Sequence, residues 1–164
     1  IREPGGEVEH REYLHKENTK PAPALAKQLV EDMGDSGSII TWNMRFEKSV
    51  NEELGRMYPE YAEQIAGINE RIIDLMIPFK SKWYDDPRFE GSASIKKVLP
   101  VVCPELSYKE LGTQDGNSAQ RLWMEAVLDE ARADQKEQIL ADLTEYCKMD
   151  TWAMVRIWQE LLKI

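Results

Sequence analysis

The sequence has few cysteines, few histidines and no long apolar run. The two cysteines, Cys103 and Cys147, lie far apart, which fits reduced thiols in a cytosolic protein better than a disulfide framework. The two histidines both lie near the start, so no Cys/His cluster has the spacing of a zinc site. No apolar run approaches the roughly 20 residues of a membrane span, and no signal peptide opens the chain. These absences predict a cytoplasmic protein that does not enter a membrane.

Positive charge is also in deficit, with 21 Lys and Arg against 30 Asp and Glu and a formal net charge of −9. This balance argues against a protein that coats duplex nucleic acid through phosphate contacts. It does not exclude a nuclease, because carboxylates that hold metal ions add negative charge themselves. The 164 residues suggest one domain, 1–164. The chain starts at Ile1 without an initiator Met, and we expect it to be a C-terminal fragment of a longer protein.

The organising element is a long C-terminal helix, predicted over residues 137–162 because the segment has no Gly or Pro and repeats apolar residues at helical spacing. Asp150 falls in the middle of the apolar stripe of this helix. A carboxylate there needs a hydrogen-bonding partner, a cation or a wet cleft, because an unpaired buried charge is costly. Tyr146 lies one turn earlier on the same face.

The rest of the chain predicts an α/β fold in which helices alternate with short strands. We predict strands over 8–14, 37–43 and 71–76. The predicted helices precede the long C-terminal one and cover 24–33, the segment after Asn43 to Met57, 59–69, 95–99 and 117–131. Pro100 is expected to end the helix that begins at Ile95.

Two acidic residues stand out near the predicted strands. Glu47 begins the helix after the second strand, where a carboxylate also interacts favourably with the helix dipole. Asp74 interrupts an apolar strand, which indicates either a strand end facing a cleft or an ion pair with Arg71.

The one local excess of positive charge is interleaved with aromatic residues. Such a pattern suits the binding of single-stranded nucleic acid, whose phosphates need cations and whose bases stack. The alternative is a solvated surface with the aromatic side chains buried in the core. The cations and aromatics are Lys80, Lys82, Trp83, Tyr84, Arg88, Phe89, Lys96 and Lys97.

Tyr-x-x-x-Asp at Tyr146 and Asp150 resembles the third motif of the DEDD-type 3′–5′ exonucleases, in the variant that uses Tyr. SIITWN followed by MRFE resembles the second motif, usually Asn-x-x-Phe/Tyr-Asp after a strand. Asn43 and Phe46 match that motif, and Glu47 stands where Asp is usual. The first motif, an Asp-x-Glu on the opening strand, has no counterpart here.

The chain also resembles the C-terminal part of an uncharacterised bacterial family of predicted nucleases, domain of unknown function 2779. The matching phrases cover most of the chain: HREYLH, SIITWNMRFEKSVNEEL, RIIDLM, FEGSASIKKVLP, LSYKEL, DGNSAQ and YCKMDTWAM.

These resemblances imply a helix-rich RNase H-like α/β fold, truncated so that its small sheet lacks the first strands. They also imply a metal-dependent 3′–5′ exonuclease acting on single-stranded DNA or RNA. Asp150 and Glu47 would be ligands of Mg²⁺ or Mn²⁺, and Tyr146 would orient the attacking water. Asn43, Phe46, Lys96 and Lys97 would contact substrate. Without the Asp-x-Glu pair, we expect the fragment to be inactive.

Two other classes stay open at this point. The RNase H-like core could be a non-catalytic scaffold that binds nucleic acid or protein, an idea favoured by Glu47 in place of Asp and by the acidic surface. A purely helical interaction domain is the third possibility, and the absence of strands at 8–14 and 38–43 would support it. A sheet without its first strands would also leave an edge able to pair with a second copy.

Overall fold

The computed structural model describes residues 6–19, 22–106, 116–129 and 134–164. Helices dominate, and two short strands lie among them. The elements follow in this order along the chain: α1 Ala22–Met33, β1 Ile39–Thr41, α2 Met44–Met57, a 3₁₀ turn Pro59–Tyr61, α3 Ala62–Glu70, β2 Ile72–Asp74, α4 Ile77–Lys80, a 3₁₀ turn Pro87–Phe89, α5 Ile95–Val102, α6 Gly116–Leu128 and α7 Lys136–Leu161.

The two strands lie parallel, with Ile39 opposite Ile72 and Thr41 opposite Asp74. Parallel neighbours need a long connection, and α2 and α3 supply it. In the described part of the chain the sheet has these two strands in the order β1–β2. The mixed α/β class predicted from the sequence is therefore confirmed, and a purely helical domain is excluded.

The predicted strand over 8–14 is wrong, because this segment has no regular structure. Side-chain contacts hold it instead. The Arg11 guanidinium donates to Asp32 of α1 at 3.0 Å, and the Trp123 indole N–H of α6 donates to the backbone oxygen of His15 at 2.6 Å. Hydrogen bonding from Gln28 and Arg11 lowers the pKa of Asp32, so that the carboxylate is ionised at neutral pH. Charged residues at three of the seven positions suit such surface contacts better than a sheet.

The main core joins α7 to α5 and to the segment after β2. Phe79, Val98, Leu99, Tyr146 and Ile157 are among its buried members, and Ile40 and Trp42 pack against it. The apolar stripe predicted for the C-terminal helix is confirmed in part: its members Ile139, Leu143, Tyr146 and Ile157 are buried, whereas Cys147 is exposed. This packing fixes α7 beside the end of β1.

A second core lies between α1, α2 and α3, where Ala26, Leu54 and Ile65 are buried together. Arg71 ties the end of α1 to the start of β1. Its guanidinium donates to the backbone oxygens of Met33, Gly34, Ser36 and Gly37 at 2.5–3.2 Å. These bonds satisfy carbonyls at a helix C-terminus, where no intrahelical partner exists. The Arg71 guanidinium therefore hydrogen-bonds to backbone carbonyls and does not form an ion pair with Asp74.

The apolar stripe of α2 faces solvent over most of its length. Phe46, Val50 and Met57 are 59%, 46% and 52% exposed, and only Leu54 is buried. Helical spacing identified these residues as one face correctly, but spacing cannot tell which face meets another element.

Two helix ends differ from prediction. The α5 helix does not end at Pro100 but continues to Val102. The proline removes one backbone hydrogen bond, and this loss does not end the helix. The α6 helix is described from Gly116, one residue before the predicted start at residue 117. It is described to Leu128, and Ala131 lies outside the described residues.

Candidate functional site at the ends of the strands

The carboxylate of Asp74, the last residue of β2, holds the start of α2. Its oxygens accept the backbone N–H of Asn43 at 3.1 Å, of Met44 at 3.0 Å and of Met76 at 3.0 Å. The first two donors belong to the helix N-terminus, which has unpaired N–H groups and a positive dipole end. Asp74 therefore caps α2 from the neighbouring strand, a role that its position in the sequence does not indicate.

Asn43 connects β1 to α2 in a left-handed conformation, with φ 77° and ψ 64°. Asn adopts this region more readily than most residues, which explains its presence at this sharp junction. The turn places Phe46 and Glu47 in the first turn of α2. Asn43 and Phe46 are exposed, as their predicted contact with substrate requires.

The Glu47 side chain is half-buried, and its desolvation raises the pKa of its carboxyl above the ordinary value of 4.5. Among the described residues, the carboxylate has no hydrogen-bond or ion-pair partner. A few residues earlier, the hydroxyl of Thr41 is buried and also lacks a partner within the described ranges. Both unsatisfied groups flank the junction between β1 and α2.

Replacing Glu47 by Gln should stabilise the metal-free protein at neutral pH. A raised native pKa means that the native state binds more protons than the unfolded state between the unfolded pKa and the native pKa. Stability therefore falls as pH rises through that window, and the penalty is complete above it. Urea unfolding should show Glu47→Gln to be more stable than the wild type at pH 7 and equal to it at about pH 4 and below.

Glu52→Gln, which removes an exposed carboxylate from the same helix, controls for the change in net charge. A Glu47→Gln advantage that is the same at every pH would contradict the assigned cause.

Trp42 ties the end of β1 to the rest of the core. Its indole N–H donates to the backbone oxygen of Ala93 at 3.1 Å, and its ring stacks on Phe79 with centroids 5.5 Å apart. The same cluster contains Tyr146. Trp42, which directly precedes the junction with α2, and Tyr146 of α7 therefore belong to the same apolar cluster.

Tyr146 is 6% exposed, and the Lys96 ammonium lies 5.7 Å from the centre of its ring. Such a cation–π contact is worth about 0.5–2 kcal/mol, depending on desolvation. Asp150 is half-buried one helical turn further along α7. Lys96 therefore lies over the ring of Tyr146, the tyrosine of the Tyr-x-x-x-Asp motif.

Lys97 forms an ion pair with Glu90 at 2.5 Å. Its charge is balanced within the protein, so the predicted contact with substrate would require that pair to separate. The contact stays a prediction.

The described residues contain no group of three or more His, Cys, Asp or Glu side chains that could hold a metal ion. Glu47 and Asp150 are oxygen donors of the kind that Mg²⁺ and Mn²⁺ prefer, but by themselves they do not make a complete site. The described part of the chain therefore does not fit a full two-metal centre.

The sequence profile of the domain of unknown function 2779 matches residues 1–94, more than half of the chain. The chain belongs to this family. An uncharacterized protein of Mycoplasma pneumoniae, the MG366 homolog, is 29% identical over 140 residues, which cover 79% of this chain and 21% of the relative. The uncharacterized protein MG366 of Mycoplasma genitalium is 26% identical over 140 residues, which cover 77% and 21%. The uncharacterized protein UU173 of Ureaplasma parvum is 27% identical over 136 residues, which cover 73% and 20%.

The chain thus spans about a fifth of the length of the curated relatives it matches. No solved structure matches it, so the RNase H-like fold stays a prediction. Among the described helices, none combines the length and apolar character needed to cross a bilayer.

Proposed function

We propose that this chain is part of a longer, metal-dependent nuclease that removes nucleotides from the 3′ end of single-stranded DNA or RNA. The proposal includes an RNase H-like domain completed by strands outside the described residues. It is carried by one observation, the half-buried Glu47 carboxylate without a partner in the described part of the chain.

An unpaired, partly desolvated carboxylate costs free energy, and the helix dipole at the first turn of α2 offsets only about 0.3–1 kcal/mol. A divalent cation would offset the cost more fully, because hard cations bind carboxylate oxygens directly. The sequence departs from the usual Asp at this position yet retains an acid. This retention supports a role as a metal ligand.

The placement of α7 gives the second line of support. Tyr146 shares a core with Trp42, five residues before Glu47, and Asp150 follows Tyr146 by one turn. We assign Asp150 and Glu47 as carboxylate ligands of Mg²⁺ or Mn²⁺, and Tyr146 as the residue that orients the attacking water. Bound divalent ions would supply charge stabilisation at the phosphodiester. The remaining acids would come from an Asp-x-Glu pair that this sequence does not contain.

The test compares this chain with the longer protein on single strands carrying a fluorophore at the 5′ end, in Mn²⁺ and in EDTA. The longer protein should shorten the labelled strand progressively from its 3′ end, in Mn²⁺ only. This chain alone should cut little, because two carboxylates do not assemble the complete site. Robust, Asp150-dependent digestion by this chain alone would overturn the expectation that its site is incomplete. No metal-dependent digestion by the longer protein would refute the nuclease proposal.

A non-catalytic scaffold is the second candidate, and the burial of Tyr146 favours it. A tyrosine fixed in the core by packing and by Lys96 has a structural role whether or not chemistry occurs beside it. Binding of single-stranded nucleic acid by the longer protein, without hydrolysis in Mg²⁺ or Mn²⁺, would establish this alternative.

A further inference from the structure

The positive charges between Lys80 and Lys97 separate into two groups. Three of the five are engaged within the protein. Arg88 donates to Asp86 at 2.7–2.9 Å, Lys97 pairs with Glu90, and Lys96 lies over Tyr146. The remaining two, Lys80 and Lys82, are exposed, and neither forms an ion pair or side-chain hydrogen bond with a described residue. Their charges are therefore not balanced by an ion pair with any residue that the structure describes.

Lys80 and Lys82 line a cleft of about 300 Å³. Its lining also includes the aromatic residues Phe79 and Phe89 and the hydroxyl-bearing residues Ser92 and Ser94. Asp85 also lines the cleft, so the lysines outnumber the single carboxylate there. A cleft with cations, hydroxyls and aromatic carbon suits a ligand that has both phosphates and flat rings.

The turn after α4 holds this arrangement in place. Lys82 has a left-handed backbone with φ 57°, which is strained for a residue other than Gly. Backbone bonds from Lys82 to Phe79 at 3.1 Å and from Trp83 to Pro78 at 2.8 Å enforce the turn. Trp83, the residue after Lys82, is 77% exposed, although most of an indole surface is apolar.

We propose that Lys80, Lys82 and Trp83, with the cleft beside them, form a binding site for single-stranded nucleic acid. The two ammonium groups contact successive phosphates, and Trp83 stacks on a base. The site deepens the proposed nuclease function, because it would hold the strand that the carboxylates act upon. The proposal assigns the main phosphate contacts to Lys80 and Lys82 in place of Lys96 and Lys97. The charges of Lys96 and Lys97 already interact with Tyr146 and Glu90.

The test measures the binding of 5′-labelled single strands to this chain by fluorescence anisotropy, in EDTA and over a range of salt concentrations. The double variant Lys80→Gln/Lys82→Gln should bind about tenfold more weakly at low salt. Two lost phosphate contacts should also reduce the slope of log K against log salt by about 1.4. Lys27→Gln/Lys163→Gln is the matched control, since both lysines are exposed and lie outside the cleft.

Trp83 is tested by two substitutions at the same position. Trp83→Leu should weaken the binding of an ordinary strand about tenfold, and Trp83→Phe should restore most of the affinity, because a benzene ring still stacks. On an abasic strand, which has phosphates but no bases, the three proteins should bind alike.

The proposal is overturned if the wild-type chain does not bind single strands at low salt, or if the cleft and control double variants bind equally. It is also overturned if Trp83→Leu weakens abasic and ordinary strands to the same extent, because that result identifies a general polyanion surface. Binding in EDTA does not involve hydrolysis, so failure here is distinct from failure of the nuclease assay.

Discussion

Asp150→Asn should lower the rate of single-strand degradation by the longer protein about a thousandfold, a loss of about 4 kcal/mol of transition-state stabilisation. The amide keeps the size of the side chain but removes the negative charge that a divalent ion requires from its ligand. Single-turnover digestion of a 5′-labelled strand in Mg²⁺ and in Mn²⁺ measures this effect directly.

Asp142→Asn is the matched control, because Asp142 lies on the same helix about two turns earlier and its carboxylate accepts a hydrogen bond from Gln138 at 2.8 Å. It should digest at the wild-type rate. Asp150→Asn should also retain its melting temperature and its affinity for single strands in EDTA, which separates loss of chemistry from loss of fold. Equal rates for the two Asp→Asn variants would rule out Asp150 as a metal ligand.

Asp74→Ala should destabilise the protein by about 3 kcal/mol, since loss of a helix cap costs about 0.5–2 kcal/mol and a third backbone donor loses its partner as well. Asp74→Asn should cost less, about 1–2 kcal/mol, because one oxygen can still accept N–H groups. Equilibrium unfolding in urea gives both values if the denaturant slope is unchanged.

Asp35→Ala removes an exposed carboxylate from the loop before β1 and controls for net charge. If Asp74→Ala costs no more than Asp35→Ala, the three backbone hydrogen bonds do not hold the start of α2. Because Glu47 lies in the first turn of that helix, a loosened start should also lower activity in the longer protein.

Local pattern was sufficient for most elements of this fold. The long run without Gly or Pro predicted α7, and the apolar segments around Ile39 and Ile72 predicted the two strands, because these signals depend on backbone preference and on spacing along the chain. The predicted end of the first helix at Met33 is confirmed, and Gly34, which follows it, has the positive φ of 52° typical of a glycine after a helix.

The prediction at 8–14 failed for a different reason. A strand exists only if a neighbour accepts its backbone hydrogen bonds, and the segment's own residues do not reveal whether one is present. The outward-facing stripe of α2 at Phe46 and Val50 shows the same limit, since periodicity defines a face but not what covers it.

By itself the sequence determined most of the helices, the positions of the two strands and the positions of Glu47, Tyr146 and Asp150 within their elements. Only the tertiary structure decided the partners of the polar groups. It assigned Asp74 to the start of α2, Arg71 to four carbonyls, and Lys96 to the ring of Tyr146. The physical reason is that secondary structure follows from neighbours a few residues apart. A charge is satisfied by whatever group folding brings within about 3 Å, often from tens of residues away.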